Sequence, residues 1–264
     1  MERPTISYTP VQGQEFAKRL LKPIPLNVIF SLAETGWPVD LETMLYMTLQ
    51  QIQDVYNPLL DIYLVDPRDS DMSQRIQRDR ERIRKFKHII SLLVKLGKAD
   101  ALEIQQVGEK SHLVFNKQVP PNTRAQIYEF KRTLGLDPEI NSFRITDRTI
   151  GRKPDEITFE SRSMIAIITI LARGIEIPTE HSEKGWVSDI GDEYKNPSLP
   201  LRIYSDQERP KDAYTAIRYQ GYWFYINNSD LPSKRTLGLL GYFFKVLSPV
   251  KDDAAPVLTL PAGP

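Results

Sequence analysis

The clearest pattern of apolar and polar positions lies in residues 212–245, where an alternating stretch leads into a long apolar one. Gln220-Gly221 predicts a two-residue turn of type I′, because glycine readily adopts the positive φ that its second position needs. Two antiparallel strands then pair outward from this turn. The predicted register has five pairs: Tyr219 with Tyr222, Arg218 with Trp223, Ile217 with Phe224, Ala216 with Tyr225, and Thr215 with Ile226.

This predicted hairpin has two different faces, since successive side chains of a strand point to opposite sides. The apolar face is expected to lie on a core, and it comprises Ile217, Tyr219, Tyr222, Phe224 and Ile226. The other face holds Arg218, Trp223 and Tyr225, and the Arg218 guanidinium is able to lie over the Trp223 ring. Aromatic residues and arginine are enriched at protein–protein contacts, so this second face is the predicted interaction surface.

The first half of the chain reads mainly as helices separated by proline and glycine. Apolar spacing and capping residues predict helices at 13–22, 26–35, 41–57, 73–96 and 122–134, and a small hairpin at 101–116. Proline and glycine cluster near 137–142, which predicts a domain boundary there. We therefore expect a mainly helical domain with a hairpin at 1–140 and a second domain at 141–264.

The second half alternates strands and helices. Strands are predicted at 142–149, 156–160, 201–205 and 256–260, with apolar helices at 161–173 and 231–246. A mostly antiparallel sheet with both helices on one face is the economical arrangement. The predicted fold class is α+β.

Composition limits the chemistry. The 264 residues include 41% apolar and 26% charged residues, with a net charge of +1, as in globular proteins. The absence of cysteine excludes disulfides, thiolate metal sites and cysteine nucleophiles. The start of the sequence has no export-signal pattern, and the longest apolar run, 164–172, is too short to cross a membrane.

A basic segment at 75–87 is a candidate nucleic-acid or phospholipid patch, with Arg75, Arg78, Arg82 and Lys85 as its members. Its positive residues surround the helix, and Ile76, Ile83 and Phe86 mark a stripe that faces a core. The sequence favours a solvated helix face, and no nucleic-acid partner is expected.

Two further clusters are candidate sites. His181 with Glu183, Asp189, Asp192 or Glu193 matches no known metal-ligand spacing, and a capped loop explains it more simply. Ser161-Arg162-Ser163 resembles a nucleophile elbow in outline but lacks its flanking glycines. Helix capping by a serine is the simpler explanation, with an anion held by Arg162 as a second possibility. No catalytic residue, metal site or cofactor is predicted.

Several segments together resemble an uncharacterised family of bacterial envelope proteins, predicted lipoproteins of Gram-negative bacteria. They are QEFAKRLLKPIPLNVIFSLAETGWPVD, RSMIAIITILARGIEIPTEH, IRYQGYWFYINNSDLPSKRT and APVLTLPAG, of which RY-x-GYWFYI with the following D-x-x-SK is the most specific. The resemblance covers most of the chain and carries no catalytic residues. It implies a location in the periplasm or at the outer membrane, with membrane association only through an anchor or a partner.

The expected function is a non-enzymatic component of a cell-envelope assembly that acts through protein–protein contacts, as a homo-oligomer or a subunit of a larger complex. One alternative is a nucleic-acid-binding protein that uses the 75–87 helix face. The other alternative is a hydrolase at the Ser161–Ser163 turn, and the 179–200 loop is a candidate ligand site.

Overall fold

The structure is a computed structural model that describes residues 14–34, 40–59, 72–147, 151–187 and 199–247. Alternation of apolar and polar residues at 4–11 predicts a short strand, and this strand and the one predicted at 256–260 lie outside these residues. Residues 188–198 of the 179–200 loop also lie outside the described residues.

The described residues form eight α-helices. In chain order they are α1 (Gln14–Leu21), α2 (Leu26–Glu34), α3 (Leu41–Thr48), α4 (Met72–Lys98), α5 (Pro121–Thr133), α6 (Met164–Leu171), α7 (Thr179–Glu183) and α8 (Leu231–Leu247). A short 3₁₀ turn, Ala172–Gly174, follows α6. Ser163 caps α6, because its hydroxyl accepts a hydrogen bond from the Ala166 N–H.

A mixed six-stranded sheet forms the centre of the fold. Its strands are β1 (Leu49–Ile52), β2 (Val55–Tyr56), β3 (Leu102–Val107), β4 (Lys110–Phe115), β5 (Ser142–Thr146) and β6 (Glu156–Ser161), in the order β2-β1-β6-β5-β4-β3. β5 and β6 pair in parallel, and the other neighbours pair antiparallel. The α+β fold class is confirmed.

The helix predicted for residues 41–57 is wrong beyond Thr48. The chain leaves α3 there and forms β1, which pairs with β6 and turns back at Gln53, a residue with φ of 52°. Leu49 and Ile52 are buried in this strand. Their separation of three positions is the spacing of one helix face, and pairing with β6, with a register shift between Leu49 and Gln51, overrides this helical pattern.

The sheet takes strands from both sides of the predicted boundary near residue 140. β1, β3 and β4 precede it, and β5 and β6 follow it. The chain at the boundary is also held to α5, since the Lys131 ammonium donates to the carbonyls of Pro138 (2.8 Å) and Ile140 (2.7 Å). Burial lowers the pKa of Lys131. The division into 1–140 and 141–264 stays a prediction.

Phenylalanine rings join the helices to the sheet. The rings of Phe30 and Phe159 meet edge to face at 5.6 Å, as do those of Phe115 and Phe143 at 6.1 Å. Phe115 also contacts Phe130 of α5 at 5.8 Å. The core is therefore built around β4, β5 and β6.

A buried ion pair links β5 to β6. The Glu156 carboxylate accepts hydrogen bonds from the Arg144 guanidinium and, at 3.1 Å, from the Lys153 N–H. The Lys153 backbone bond, followed by the bond from Arg144, lowers the pKa of Glu156. Glu156 therefore stabilises the fold above its unfolded pKa, and this stabilisation is lost as pH falls through the lower folded value.

The last third of the described chain adds a second sheet of three antiparallel strands. It consists of β7 (Tyr204–Asp206), β8 (Ala213–Tyr219) and β9 (Tyr222–Asn227), in the order β7-β9-β8. α8 follows β9 and packs against α1, with the rings of Phe16 and Phe244 at 6.4 Å.

Gly174 allows the close approach of two segments beside this sheet. The Ile203 N–H donates to the Gly174 carbonyl at 2.9 Å, and Ile175 bridges Ile203 in parallel. A Cβ on Gly174 would lie 1.9 Å from the carbonyl oxygen of Leu201, so only glycine fits without a shift of the backbone.

The GLLG sequence at 238–241 predicts close packing of α8 against a neighbour, and this prediction is wrong. The space where a Cβ would lie is open at both Gly238 and Gly241. Across the described helices, none combines the length and the apolar character that crossing a bilayer requires.

Candidate functional site

The hairpin β8–β9 has the register that the sequence predicts. Tyr219 pairs with Tyr222 and Ile217 with Phe224, and the pairing continues to Thr215 with Ile226. Gln220 and Gly221 have φ of 49° and 88°, both positive, as a type I′ turn needs.

The expectation that the whole apolar face lies on a core is wrong for β8. Ile226 on β9 is only 2% exposed, in the core cluster that also holds Leu239 and Phe243 of α8. Ile217 and Tyr219 are 65% and 61% exposed. The reason is the strand order, because β8 lies at the edge of the sheet and β9 at its centre.

The exposed part of this face borders an apolar groove of about 480 Å³, which we call the hairpin groove. Side chains from β8, β9, α8, the segment after Gly174 and the residue before β7 line it: Ile175, Ile177, Ile203, Ile217, Phe224 and Leu237. A contiguous apolar surface of this kind is typical of sites that bind another molecule.

His181 on α7 closes one side of the hairpin groove. It is 4% exposed, and its ring contacts those of Trp186 (5.2 Å), Tyr222 (5.1 Å) and Phe224 (6.2 Å). Its Nε2 lies 3.2 Å from the carbonyl oxygen of Gln220, which only accepts, so Nε2 carries the proton and donates. His181 therefore holds α7 to the hairpin turn, and its Nε2 is not free to bind a metal ion.

A second contact between α7 and the hairpin runs through Glu180. The Tyr222 hydroxyl donates to the Glu180 carboxylate at 3.2 Å, and the Lys184 ammonium donates to it at 2.5 Å. The bond from Lys184, and after it the bond from Tyr222, lowers the pKa of Glu180. α7 is thus attached to Gln220 in the turn and to Tyr222, the first residue of β9.

The predicted interaction surface occupies the opposite face of the hairpin. Arg218 is exposed, and Trp223 and Tyr225 are half-buried. The cation over the Trp223 ring is Arg209, at 5.3 Å from the centroid, rather than the expected Arg218, and Tyr225 packs on Tyr204 at 5.7 Å. Neighbours within the chain therefore cover part of this face, and its role in binding stays a prediction.

The predicted basic patch lies on α4. Arg78, Arg82 and Lys85 are exposed there, and Arg82 forms an ion pair with Asp79 at 3.4 Å. The side chain of Arg75 lies outside the described residues. Nucleic-acid or phospholipid binding by this patch stays a prediction.

The residues of the Ser161–Ser163 turn have structural contacts. The Ser161 hydroxyl donates to the Ile24 carbonyl at 2.6 Å, and Ser163 caps α6 by accepting from Ala166. Arg162 points into the core and is 1% exposed, so the proposal that it holds an anion at the start of α6 is wrong.

Arg162 instead binds main-chain carbonyls around the end of α3. Its guanidinium donates to the carbonyls of Leu49 (2.7 Å), Asn57 (2.8 Å) and Met47 (3.2 Å). The last carbonyls of a helix lack partners within the helix and carry partial negative charge, which a guanidinium satisfies well. Arg162 thus connects β6 to the turn from helix to strand that the sequence did not predict.

The remaining histidines pair with polar side chains of neighbouring elements. His88 Nε2 lies 2.9 Å from a Glu129 carboxylate oxygen, and His112 Nδ1 lies 3.3 Å from the Ser142 hydroxyl. No cluster of three metal-ligating His, Cys, Asp or Glu side chains occurs in the part of the chain that the structure describes. Asp189, Asp192 and Glu193, which the sequence grouped with His181, lie outside it.

Comparison with known proteins gave no match to a protein-family model, to a curated protein or to a solved structure.

Several parts of the hairpin groove were missed by sequence reasoning. The alternation of Ile175 and Ile177 is visible in the sequence, but their position beside the hairpin depends on the bridge from Ile175 to Ile203. In the sequence Leu237 looks like any other apolar residue of its helix, so nothing marks it as part of a groove. Of the rings around His181, only Trp186 is close to it in sequence, and Tyr222 and Phe224 are distant, so the sequence does not show this aromatic environment.

Proposed function

We propose that the protein is a non-enzymatic, protein-binding component of a cell-envelope assembly, and that it binds through the hairpin groove and the adjoining strand β8. The envelope location rests on the family resemblance alone. No cofactor takes part in this function.

The observation that carries the proposal is the exposure of Ile217 and Tyr219 beside the hairpin groove, at 65% and 61%. Burial of an isoleucine side chain is worth about 1.5–3 kcal/mol, so about two thirds of that gain is still available to a partner. Tyrosine adds a large amphipathic ring, which is common at the centre of protein contacts.

The surroundings of the groove also favour binding without a large rearrangement. His181 and Glu180 hold α7 against the hairpin turn at 3.2 Å each, through Gln220 and Tyr222. Such a preformed wall lowers the ordering cost that a partner would otherwise have to overcome.

Site-specific photo-crosslinking in the source cells tests this function. A photoreactive residue replaces Tyr219 in one variant and Tyr128 in a control, because Tyr128 is an exposed tyrosine on α5, at 57%. We expect a discrete crosslinked protein from position 219 that is absent from position 128 and is reduced by Ile217→Asp. Equal patterns at the two positions, or no crosslink at 219, would contradict the proposed function.

A further inference from the structure

Among the described residues, no strand pairs with the outer edge of β8. Within the described chain β8 pairs with β9 alone, on its inner side. Tyr219 and Tyr222 close the turn and form a hydrogen-bonded pair. In an antiparallel ladder such pairs alternate with non-hydrogen-bonded pairs, so the main chain of Ile217 also bonds to β9, whereas that of Arg218 and Ala216 does not. The N–H and C=O groups of Ala216 and Arg218 therefore point outward.

The part of β8 nearest the turn has few of the features that prevent an edge strand from pairing. The sequence of β8, AYTAIRY, holds no proline and a single charged residue. A bulge interrupts the strand between Ala213 and Thr215, at the end far from the turn. The remaining part, next to the hairpin groove, is regular and open to an added strand.

An added strand would have a defined pattern of side chains, because residues directly opposite one another share a face. Residues beside Ile217 and Tyr219 would lie at the hairpin groove and should be apolar. Residues beside Arg218 would lie on the other face, where a carboxylate is the favourable neighbour. The edge therefore selects alternating apolar and acidic residues.

Charge around the edge supports an acidic occupant. Residues 209–219 and 230–238 contain five basic side chains, Arg209, Lys211, Arg218, Lys234 and Arg235, against two acidic ones, Asp212 and Asp230. The Asp230 carboxylate accepts from the Ser233 N–H and hydroxyl at 3.1 and 2.7 Å, at the start of α8. These two segments together carry a net charge of +3 (five minus two), and Lys234 lies over the ring of Tyr214 in β8 at 4.8 Å.

A second copy of the chain is a poorer occupant than an acidic segment. β8 itself contains no acidic residue, so a β8 strand from another copy offers no carboxylate to Arg218. Two copies would also bring their basic residues together, and like charges across a contact are unfavourable. A lipid tail would fill the hairpin groove but leave the outward groups of Ala216 and Arg218 unused.

We propose that β8 binds an extended segment of a partner protein as a fourth strand, and that this segment alternates apolar and acidic residues. Main-chain hydrogen bonds to Ala216 and Arg218 hold the segment, the hairpin groove takes its apolar side chains, and Arg218 pairs with a carboxylate. This inference rests on the proposed function and names the kind of partner that it involves.

The probe is a display library of random peptides of about nine residues, selected on the full chain. Enriched peptides should carry apolar residues at alternate positions, with acidic residues between them. In an added strand, alternate amides of the peptide face β8 and the others face away from it. N-methylation of the amides that face β8 should lower the affinity of a selected peptide about tenfold or more, whereas N-methylation of the others should have less effect.

Two variants of the chain complete the test. Proline is tolerated in edge strands where the N–H faces solvent, so Ala216→Pro should fold and lower peptide affinity about tenfold or more. Ala216→Ser is its control and should bind normally. Arg218→Glu should shift selection from acidic to basic peptides.

Peptides without alternation, binding that neither N-methylation nor Ala216→Pro reduces, or no enrichment would each overturn the strand-addition proposal. A doubled native mass that Ala216→Pro reverses would overturn it in favour of a second copy. The proposed function fails separately, when no position-specific crosslink forms at residue 219. A crosslink at residue 219 that persists in the Ala216→Pro variant would support the proposed function and refute the addition of a partner strand to β8.

Discussion

Two isoleucines on the same face of the hairpin should differ sharply in their contribution to stability. Ile226 is 2% exposed, whereas Ile217 is 65% exposed. Replacement by alanine removes three carbons, each worth about 0.8 kcal/mol when fully buried. Because only about a third of Ile217 is buried, Ile217→Ala should lower the free energy of unfolding by about 0.8 kcal/mol.

Ile226→Ala removes the full transfer term, about 2.4 kcal/mol, and leaves a cavity in addition. We expect a total loss of about 3–4 kcal/mol, in the range of buried isoleucine substitutions. Both variants replace isoleucine by alanine in a strand, so the intrinsic strand preference changes in a similar way in each.

The assay is urea unfolding followed by circular dichroism, with each variant at two protein concentrations. A loss of more than about 2 kcal/mol for Ile217→Ala would refute the account, because it would show that the face is covered in the free protein. A stability that depends on concentration would identify a second copy as the cover.

Three further substitutions test the fold around the site. Gly174→Ala should lower the free energy of unfolding by about 2–3 kcal/mol in urea, because the new Cβ would meet the Leu201 carbonyl. Gly238→Ala, in the open part of α8, should raise it by about 0.5–1 kcal/mol. Arg162→Met should lower the free energy of unfolding by about 3–5 kcal/mol, since several buried carbonyls lose their charged donor and each unsatisfied group costs about 1–3 kcal/mol. A thermal midpoint like that of the wild type would contradict this role. Glu156→Gln should flatten the loss of stability as pH falls below about 4.3, because the wild-type pKa is lowered in the fold; identical pH profiles would exclude this ion pair as the cause.

Local chemistry determined the parts of the fold that were predicted correctly. The register of β8 and β9 follows from counting outward from Gln220-Gly221, since a two-residue turn permits one pairing. A cap by Ser161 or Ser163 was predicted, and Ser163 provides it, because its side chain acts on the next turn of the same helix. Neither inference needs knowledge of a distant neighbour.

The wrong predictions depend on distant neighbours. Residues 49–52 form a strand because β6, more than one hundred positions later, pairs with them. The exposure of Ile217 follows from the strand order, which places β8 at an edge, and the sequence carries no signal for that order. The hairpin groove likewise requires Ile175 and Leu237 to meet in space.

Amide hydrogen exchange on the free protein, resolved by residue, tests the open edge of β8 most directly. Ile217 and Tyr219 donate to β9 and should be protected, while the outward N–H groups of Ala216 and Arg218 should exchange about 100-fold faster or more. A peptide selected on the chain should then slow exchange at Ala216 and Arg218. Strong protection of both amides in the free protein, with no added peptide, would contradict the account.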